Sequence, residues 1–185
     1  MDRRTTESIN QLSTIDKKVS KEIEANKNVM KVKLNDSEQK LAKYIAKCRY
    51  DINREQGIVD AKKGDQSNEF VDLEGIAGEI AFCKIHNLYP DLEVKVTNQD
   101  TDIGDCIYNG YQVDVKTTSY NTGKLICALW KNNEIDLYAL MVGTFPNYEF
   151  RGFAYDWELK RKENIINLGR GDLYALTQDK LKLEI

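Results

Sequence analysis

Histidine is almost missing from this sequence: His86 is the only one. Mechanisms that need two imidazoles are excluded, and His86 lies near an expected helix end, where a structural or surface role suits it. The four cysteines, Cys48, Cys83, Cys106 and Cys127, are far apart, with no CxxC spacing and no histidine beside them. Zinc sites and disulfide frameworks show themselves by such spacing. These thiols therefore read as reduced and mostly buried, in keeping with a reducing compartment. No apolar run approaches the roughly 18 residues of a membrane span. The opening MDRRTTESINQL lacks the apolar stretch of a secretory signal. The expected location is cytoplasmic, with no membrane partner. A large excess of one charge is also missing, since the net charge is −3. That balance argues mildly against strong nonspecific DNA binding and leaves phosphate contacts to local clusters. Lys160-Arg161-Lys162 with Arg170 is one such cluster, although the run also suits a solvated helix face.

What remains is enough for one domain of 185 residues with a buried core. Ile9, Leu12, Ile15, Val19 and Ile23 form the stripe of an amphipathic helix. Residues 1–35 are expected to be an N-terminal helical extension that packs on the domain or pairs with a second copy, giving a homodimer. KNVMKVKL reads as a short strand or extended linker. Asp36 or Ser37 can cap a following helix with Leu41, Tyr44, Ile45, Cys48 and Ile52 on its apolar face and Gly57 at its end. AKKGDQSNE reads as a loop. A second helix is expected over 72–87, with Leu73, Ile76, Ala77, Ile80 and Cys83 inward. Gly75 and Gly78 weaken that helix by about 1 kcal/mol each relative to alanine, which suggests that another backbone approaches closely. Glu79 has only uncharged helical neighbours, Gly75, Ile76, Phe82 and Cys83. A carboxylate there needs a partner.

Beyond Pro90 the pattern turns to strands: EVKVT, IGDCIY, YQVDVKT, KLICALW, the apolar and hence central IDLYALMVGTF, and EFRGFAY as an edge. Residues 157–166 look helical, and DLYALTQDKLKLEI extended. The class is α/β or α+β with a mixed sheet flanked by helices. Tyr148, Phe150, Tyr155 and Trp157 suit core or edge filling better than base stacking.

The stretch DIGDCIYNGYQVDVKTT concentrates the chemistry. Asn109-Gly110 is a strong two-residue hairpin signal. Setting Tyr108 against Tyr111 brings Asp105 opposite Asp114, with Cβ atoms about 4.5–5.5 Å apart on one face. Lys116 shares that face, while Cys106, Val113 and Val115 point the other way. Opposed like charges destabilise a sheet unless something positive lies between them. Lys116 alone could neutralise the pair, but a divalent metal is the natural candidate. Mg²⁺ prefers oxygen ligands and keeps several waters. Lys116 would then orient or deprotonate such a water, or stabilise developing charge. Glu79 could aim a third carboxylate at the same place. Thr117, Thr118, Tyr120, Asn121 and Lys124 follow directly and could contact phosphates or a base edge, or serve as ordinary turn residues. Arg49 and Arg54 could reach a phosphate or pair with the acidic site.

At these residues the sequence resembles the PD-(D/E)xK, or restriction-endonuclease-like, nuclease superfamily. The resemblance runs from about Leu73 to Thr144. It rests on Gly75, Gly78 and Glu79 as G-x-x-G-E on a helix, an aspartate on the second strand, and V-D-V-K ending at Lys116 on the third. It implies a restriction-endonuclease-like core within a nuclease domain spanning 36–185. The implied activity is Mg²⁺-dependent hydrolysis of DNA phosphodiester bonds, with Mn²⁺ able to substitute, in restriction, repair, recombination or phage DNA metabolism. Glu79, Asp105 and Asp114 would hold the metal, the Val115 carbonyl would add a ligand, and Lys116 would serve the attacking water. Both Asp102 and Asp105 fit the first strand acid. The hairpin register favours Asp105 and keeps Asp102 as a further or outer ligand. Two features depart from the family pattern. The motif's proline is absent, with Thr101 and Gly104 preceding the two aspartates, and no helix is evident after the lysine strand. A noncatalytic nucleic-acid-binding or assembly module on the same fold is the alternative.

Overall fold

The computed structural model describes residues 29–55, 57, 68–94, 104–131, 134–169 and 171–185. The N-terminal helical stripe, most of the EVKVT segment, Asp102 and Arg170 lie outside these residues.

Strand β1, Met30–Lys33, leads into helix α1, Asp36–Glu55. The cap is Asn35 rather than Asp36 or Ser37. Its Oδ1 accepts the N–H groups of Ser37 and Glu38 at 3.0 Å each, and Glu38 Oε2 returns to accept the Asn35 N–H at 2.6 Å. This is a capping box, satisfying donors that the first turn leaves free. The buried face of α1 is Ala42, Ile45, Ala46 and Asn53. Leu41 and Tyr44, expected inward, are exposed. Small alanines let α1 lie close against helix α2, Asn68–His86. That helix begins four residues earlier than its periodicity suggested, and its Ile76, Ala77, Ile80, Ala81 and Cys83 are buried.

Strands β2, Cys106–Tyr108, and β3, Tyr111–Thr118, form the expected hairpin. Cys106 pairs with Val113, Ile107 with Gln112 and Tyr108 with Tyr111. Asn109 and Gly110 have φ of 50° and 86°, as this turn demands. Strand β4 is Leu125–Ala128, β5 is Leu137–Thr144 and β6 is Asn147–Tyr155. One mixed sheet has the order β1-β6-β5-β3-β2, in which β3 and β5 are parallel and the other pairs antiparallel. Strand β5 is central and buried from Leu137 to Val142. Strand β6 is not an edge, because β1 covers it. Met30–Lys33 thus joins the sheet of the domain expected to start at residue 36.

The helical stretch expected over 157–166 is broken. Helix α3 is only Asp156–Leu159, a 3₁₀ turn follows, and strand β7, Ile165–Asn167, comes next. Strand β8, Asp172–Leu176, sits between β4 and β7 in a second, three-stranded sheet. Two cores follow from β5's alternation. Leu137, Ala139 and Met141 pack with α1, α2, Val113 and Val115. Tyr138, Leu140 and Val142 pack with Leu125, Cys127, Leu159 and Leu176 on the other face. Tyr148 and Phe150 are core residues, as expected.

Two contacts set the position of α2 on the sheet. Glu74 accepts hydrogen bonds from the Phe145 N–H and the Tyr148 hydroxyl, both at 2.9 Å. A Cβ on Gly78 would lie 1.9 Å from Thr117 Oγ1 on β3. The approach at Gly78 is therefore close, but it is made by the Thr117 side chain and not by the backbone that the glycine pattern suggested. At Gly75 a Cβ would meet nothing within 4 Å.

Candidate active site

The site forms where β2 is too short to cover β3. The ladder ends at Cys106 and Val113, so β3 beyond Val113 loses its neighbour on that side. Gly104, at φ 90°, turns the incoming chain, and a Cβ there would meet the Val113 carbonyl oxygen at 2.8 Å. Asp105 consequently leaves the register. Its N–H bonds to the Val113 carbonyl at 2.8 Å, and its Oδ2 accepts the Val115 N–H at 2.6 Å. Asp105 and Asp114 are therefore not the opposed cross-strand pair that the hairpin predicts. Asp105 instead lies along the edge of β3, where its carboxylate takes a strand partner's place.

Asp114 is buried, and it points to the face of the sheet away from α2, as does Lys116. Lys116 Nζ sits 2.5 Å from Asp114 Oδ1. A second lysine, Lys131, sits 2.6 Å from Oδ2. Burial works against the Asp114 charge, but the two ammonium groups outweigh it and hold the carboxyl below its usual range.

On the other side of the edge, Glu79 reaches in from α2, where it is 8% exposed. Arg49 of α1 grips it with Nη1 on Oε1 and Nη2 on Oε2, both at 3.2 Å. This bidentate fork is the partner that the sequence demanded for Glu79. Burial disfavours the Arg49 charge, yet Glu79, with help from Asp105 and Asp91, holds its affinity for a proton above the ordinary value.

Asp105 lies between these two ion pairs. Desolvation first, then the charges of Glu79 and Asp114, push its carboxyl well above the usual carboxylate range; Lys116 and the Val115 N–H pull the other way without prevailing. Of the three acids, Asp105 alone is short of positive charge. Behind it, Cys83 and Cys106 are buried, and the Cys106 thiol is pushed up by its hydrogen bond to Cys83 and by burial. Both are structural thiols, as expected; Cys48 is only half-buried.

The donor set fits a hard divalent cation in chemistry: all-oxygen, acidic, and with Asp105 in need of a counter-charge. Among the described residues, however, no three histidine, cysteine or acidic side chains are gathered tightly enough to hold a metal ion. Arg49, Lys116 and Lys131 draw the outer two carboxylates to themselves.

The sequence missed Lys131. It lies beyond β4, seventeen residues from Asp114, and no local pattern marks it. Thr118, at the end of β3, is half-buried, and Tyr120 and Lys124 are exposed on the crossover from β3 to β5. In that crossover, Thr118 Oγ1 accepts the Tyr120 N–H at 3.3 Å, a turn contact. The 160–162 run follows α3 and does not lie on a helix face: Lys160 is half-buried and pairs with Asp156, while Arg161 is exposed and pairs with Glu163. A cavity of about 560 Å³ opens elsewhere, at the start of α1, lined by Lys33 to Ser37 and Gln39.

The matched span of one family takes in every one of these site residues. The chain belongs to a family of unknown function, DUF5843, whose model matches residues 29–158. No curated protein and no solved structure gives a significant match. The DUF5843 span begins one residue before β1 and ends inside α3, so it covers the whole five-stranded sheet, both long helices and the Arg49–Glu79–Asp105–Asp114–Lys116–Lys131 network.

Proposed function

We propose that this protein is a Mg²⁺-dependent nuclease that hydrolyses DNA phosphodiester bonds on a restriction-endonuclease-like core, with Mn²⁺ able to replace Mg²⁺. The observation that carries the proposal is Asp105. It is a desolvated carboxyl held against the Val115 N–H, with Glu79 and Asp114 raising its need for positive charge and Lys116 beside it. A fold gains nothing from three acids in such a row, whereas a cation site needs them. The order of elements also supports the proposal. An acid-bearing helix is followed by an antiparallel hairpin, then by a crossover to a parallel strand. The crossover holds β4 and no helix among its described residues, which is a departure from the pattern of that superfamily.

Asp105 and Asp114 would hold the ion, with Glu79 as the third acid; the Val115 carbonyl and Asp102 are further candidates. When bound, the ion supplies charge neutralisation on phosphate and a more acidic water. The chain's own contribution is positional. Lys116, fixed through Asp114 Oδ1, orients the attacking water and stabilises the negative charge on the phosphate oxygens. The Val115 N–H keeps one Asp105 oxygen fixed, which presents the other to the ion. Arg49, Thr118, Tyr120 and Lys124 are the proposed contacts to the DNA backbone.

One observation favours a second reading, a noncatalytic nucleic-acid-binding module. Arg49, Lys116 and Lys131 match the three acids in number, so the network can stand as a self-neutralised structural cluster. The deciding experiment is incubation of supercoiled plasmid and of linear single- and double-stranded DNA with Mg²⁺, Mn²⁺ or EDTA, for wild type beside Lys116→Ala. Metal-dependent cutting by wild type alone supports the nuclease. DNA binding without cutting on any substrate supports the module.

A further inference from the structure

Resting on the reading of DNA as the partner, and needing no cation at the acids, we infer that a row of surface aromatic rings binds single-stranded DNA by stacking on its bases. The row is Tyr111 at the start of β3, Tyr155 at the end of β6 and Trp157 on α3. Tyr111 meets Tyr155 edge-on at 6.0 Å, and Tyr155 lies nearly parallel to Trp157 at 5.9 Å. Two cations hold the rings in place. Lys182 Nζ stands 4.8 Å from the Tyr155 centroid and 6.0 Å from that of Trp157, and the Arg161 guanidinium lies 5.2 Å from the Trp157 centroid. Even with these three neighbours Trp157 is 60% exposed, and Tyr111 is 37% exposed. Trp157, expected to fill core or edge, is thus a surface residue. One exposed ring needs no explanation, whereas a contiguous row of them marks an interaction surface. Stapling of the C-terminal segment accounts for Lys182, which bonds to the Phe153 backbone and to Glu158. It does not account for the exposed indole, nor for Lys162 and Lys180, which are exposed and form no ion pair among the described residues. Lys162 follows Arg161 and Lys180 precedes Lys182 by two residues, so each segment that holds the rings also carries an uncommitted cation. Stacking faces beside such cations match a chain that alternates flat bases with phosphates. Duplex DNA keeps its base faces inside the helix and offers only the phosphates. Tyr111 begins the strand that bears Asp114 and lies about 10 Å from it along that strand, which places the row near the acid network and outside it.

The test is fluorescence anisotropy in EDTA with a labelled oligothymidine of about 15 nucleotides and, separately, a labelled duplex. The proteins are wild type, Trp157→Ala, Trp157→Phe and a double variant, Lys162→Gln with Lys180→Gln. Trp157→Ala should weaken oligothymidine binding about ten-fold or more and duplex binding less than about three-fold. Trp157→Phe, which keeps a ring, should retain most of the affinity. The lysine variant should lower the slope of log affinity against log salt by about 1.4 on the single strand. Its substitutions are at exposed positions, so it keeps the test decisive should Trp157→Ala not fold. Unchanged oligothymidine affinity in a folded Trp157→Ala overturns the inference, as does an unchanged salt slope in the lysine variant. Displacement by inorganic polyphosphate as effective as by unlabelled oligothymidine would show recognition of charge alone and also overturn it. A wild type that binds neither form of DNA overturns the inference together with the reading of DNA as partner. Weakened single-strand binding in Trp157→Ala, with no metal-dependent cutting by wild type, would leave the aromatic row standing and remove the nuclease. Metal-dependent cutting with single-strand affinity unaltered in Trp157→Ala would do the reverse.

Discussion

Asp105 takes the place of a β-strand neighbour for Val115: its carboxylate accepts the N–H that β2 stops too early to pair. The hydrogen bond favours the charged carboxylate, yet desolvation, Glu79 and Asp114 oppose that charge and win. Because the folded-state affinity for a proton is raised, stability falls as pH climbs from the unfolded carboxylate range through the folded one. Asp105→Asn keeps an oxygen for the Val115 N–H and removes the ionisation. We expect the variant to melt a few degrees higher than wild type in EDTA at neutral pH, about what 1 kcal/mol gives in a chain of this size. The gap should close toward pH 4, and cleavage should be lost. A variant less stable than wild type at pH 7.5 would show that Asp105 carries no electrostatic strain.

The Arg49–Glu79 fork makes a sharper demand. Arg49→Met leaves Glu79 buried on α2 with its partner gone. Breaking a buried pair on one side costs about 3 kcal/mol, more than removing both members. Urea melts of Arg49→Met, Glu79→Gln and the double variant should therefore show the double closer to wild type than Arg49→Met. Additive losses would mean that the pair is merely adjacent.

Helix α2 lies against β3 at the one place where a side chain is missing. Gly78→Ala drives a methyl group toward Thr117 Oγ1. The loss should be about 1–3 kcal/mol from overpacking, less the ~1 kcal/mol that alanine returns to a helix. Thr117→Ala in the same chain should recover part of it. Equal stability of Gly78→Ala and wild type would show that the helix can shift outward freely.

These relationships mark where the sequence could be read and where it could not. The hairpin was legible because Asn109-Gly110 fixes a register by local chemistry, and Glu79 was legible because an acid among apolar helical neighbours demands a partner. The identity of that partner was only one of two options for Arg49, since thirty residues separate the pair. Lys131 left no trace, because a surface-patterned lysine after a strand looks the same whether it ends in solvent or on a buried aspartate. The exact placement of Asp105 depended on Gly104, whose positive φ cannot be told from a glycine in any loop. Its apolar run identified β5 as central, but β1 was too short and too charged to announce that it covers β6. The face of α1 was misjudged because Ala42 and Ala46 weigh little against Leu41 and Tyr44 in any hydrophobic pattern, yet small residues are what close helix packing selects.

His86 offers a pH test remote from the carboxylates. It sits at the end of α2 among Phe82, Tyr108, Phe150 and Phe153, with ring centroids 4.5–5.6 Å away, and its Nε2 is buried without a partner. Burial lowers its affinity for a proton below the ordinary 6.5. The unfolded chain then binds a proton that the folded chain refuses, so stability drops as pH falls below about 6.5. His86→Phe should flatten that drop, and the difference between the two proteins' melting temperatures should grow from pH 7 to pH 5. Parallel curves would place His86 in contact with water.

Lys116 and Lys131 separate catalysis from folding. Lys116→Ala removes the group proposed to orient water but leaves Lys131 on Asp114. The variant should fold, melt within a few degrees of wild type, and lose cleavage by about a hundred-fold or more, as removal of an acid–base group does. Lys116→Ala with Lys131→Gln is different in kind. Asp114 is 3% exposed, and with both ammonium groups gone it is a buried charge without compensation. Loss of about 3 kcal/mol or more is expected in EDTA. Mg²⁺ should restore part of that loss in the double variant and less in wild type, because a ligand that binds only the folded state adds stability in proportion to its affinity. A double variant that is equally unstable with and without millimolar Mg²⁺ would mean that no cation can take the place of the lysines, and Asp114 would then be a structural acid.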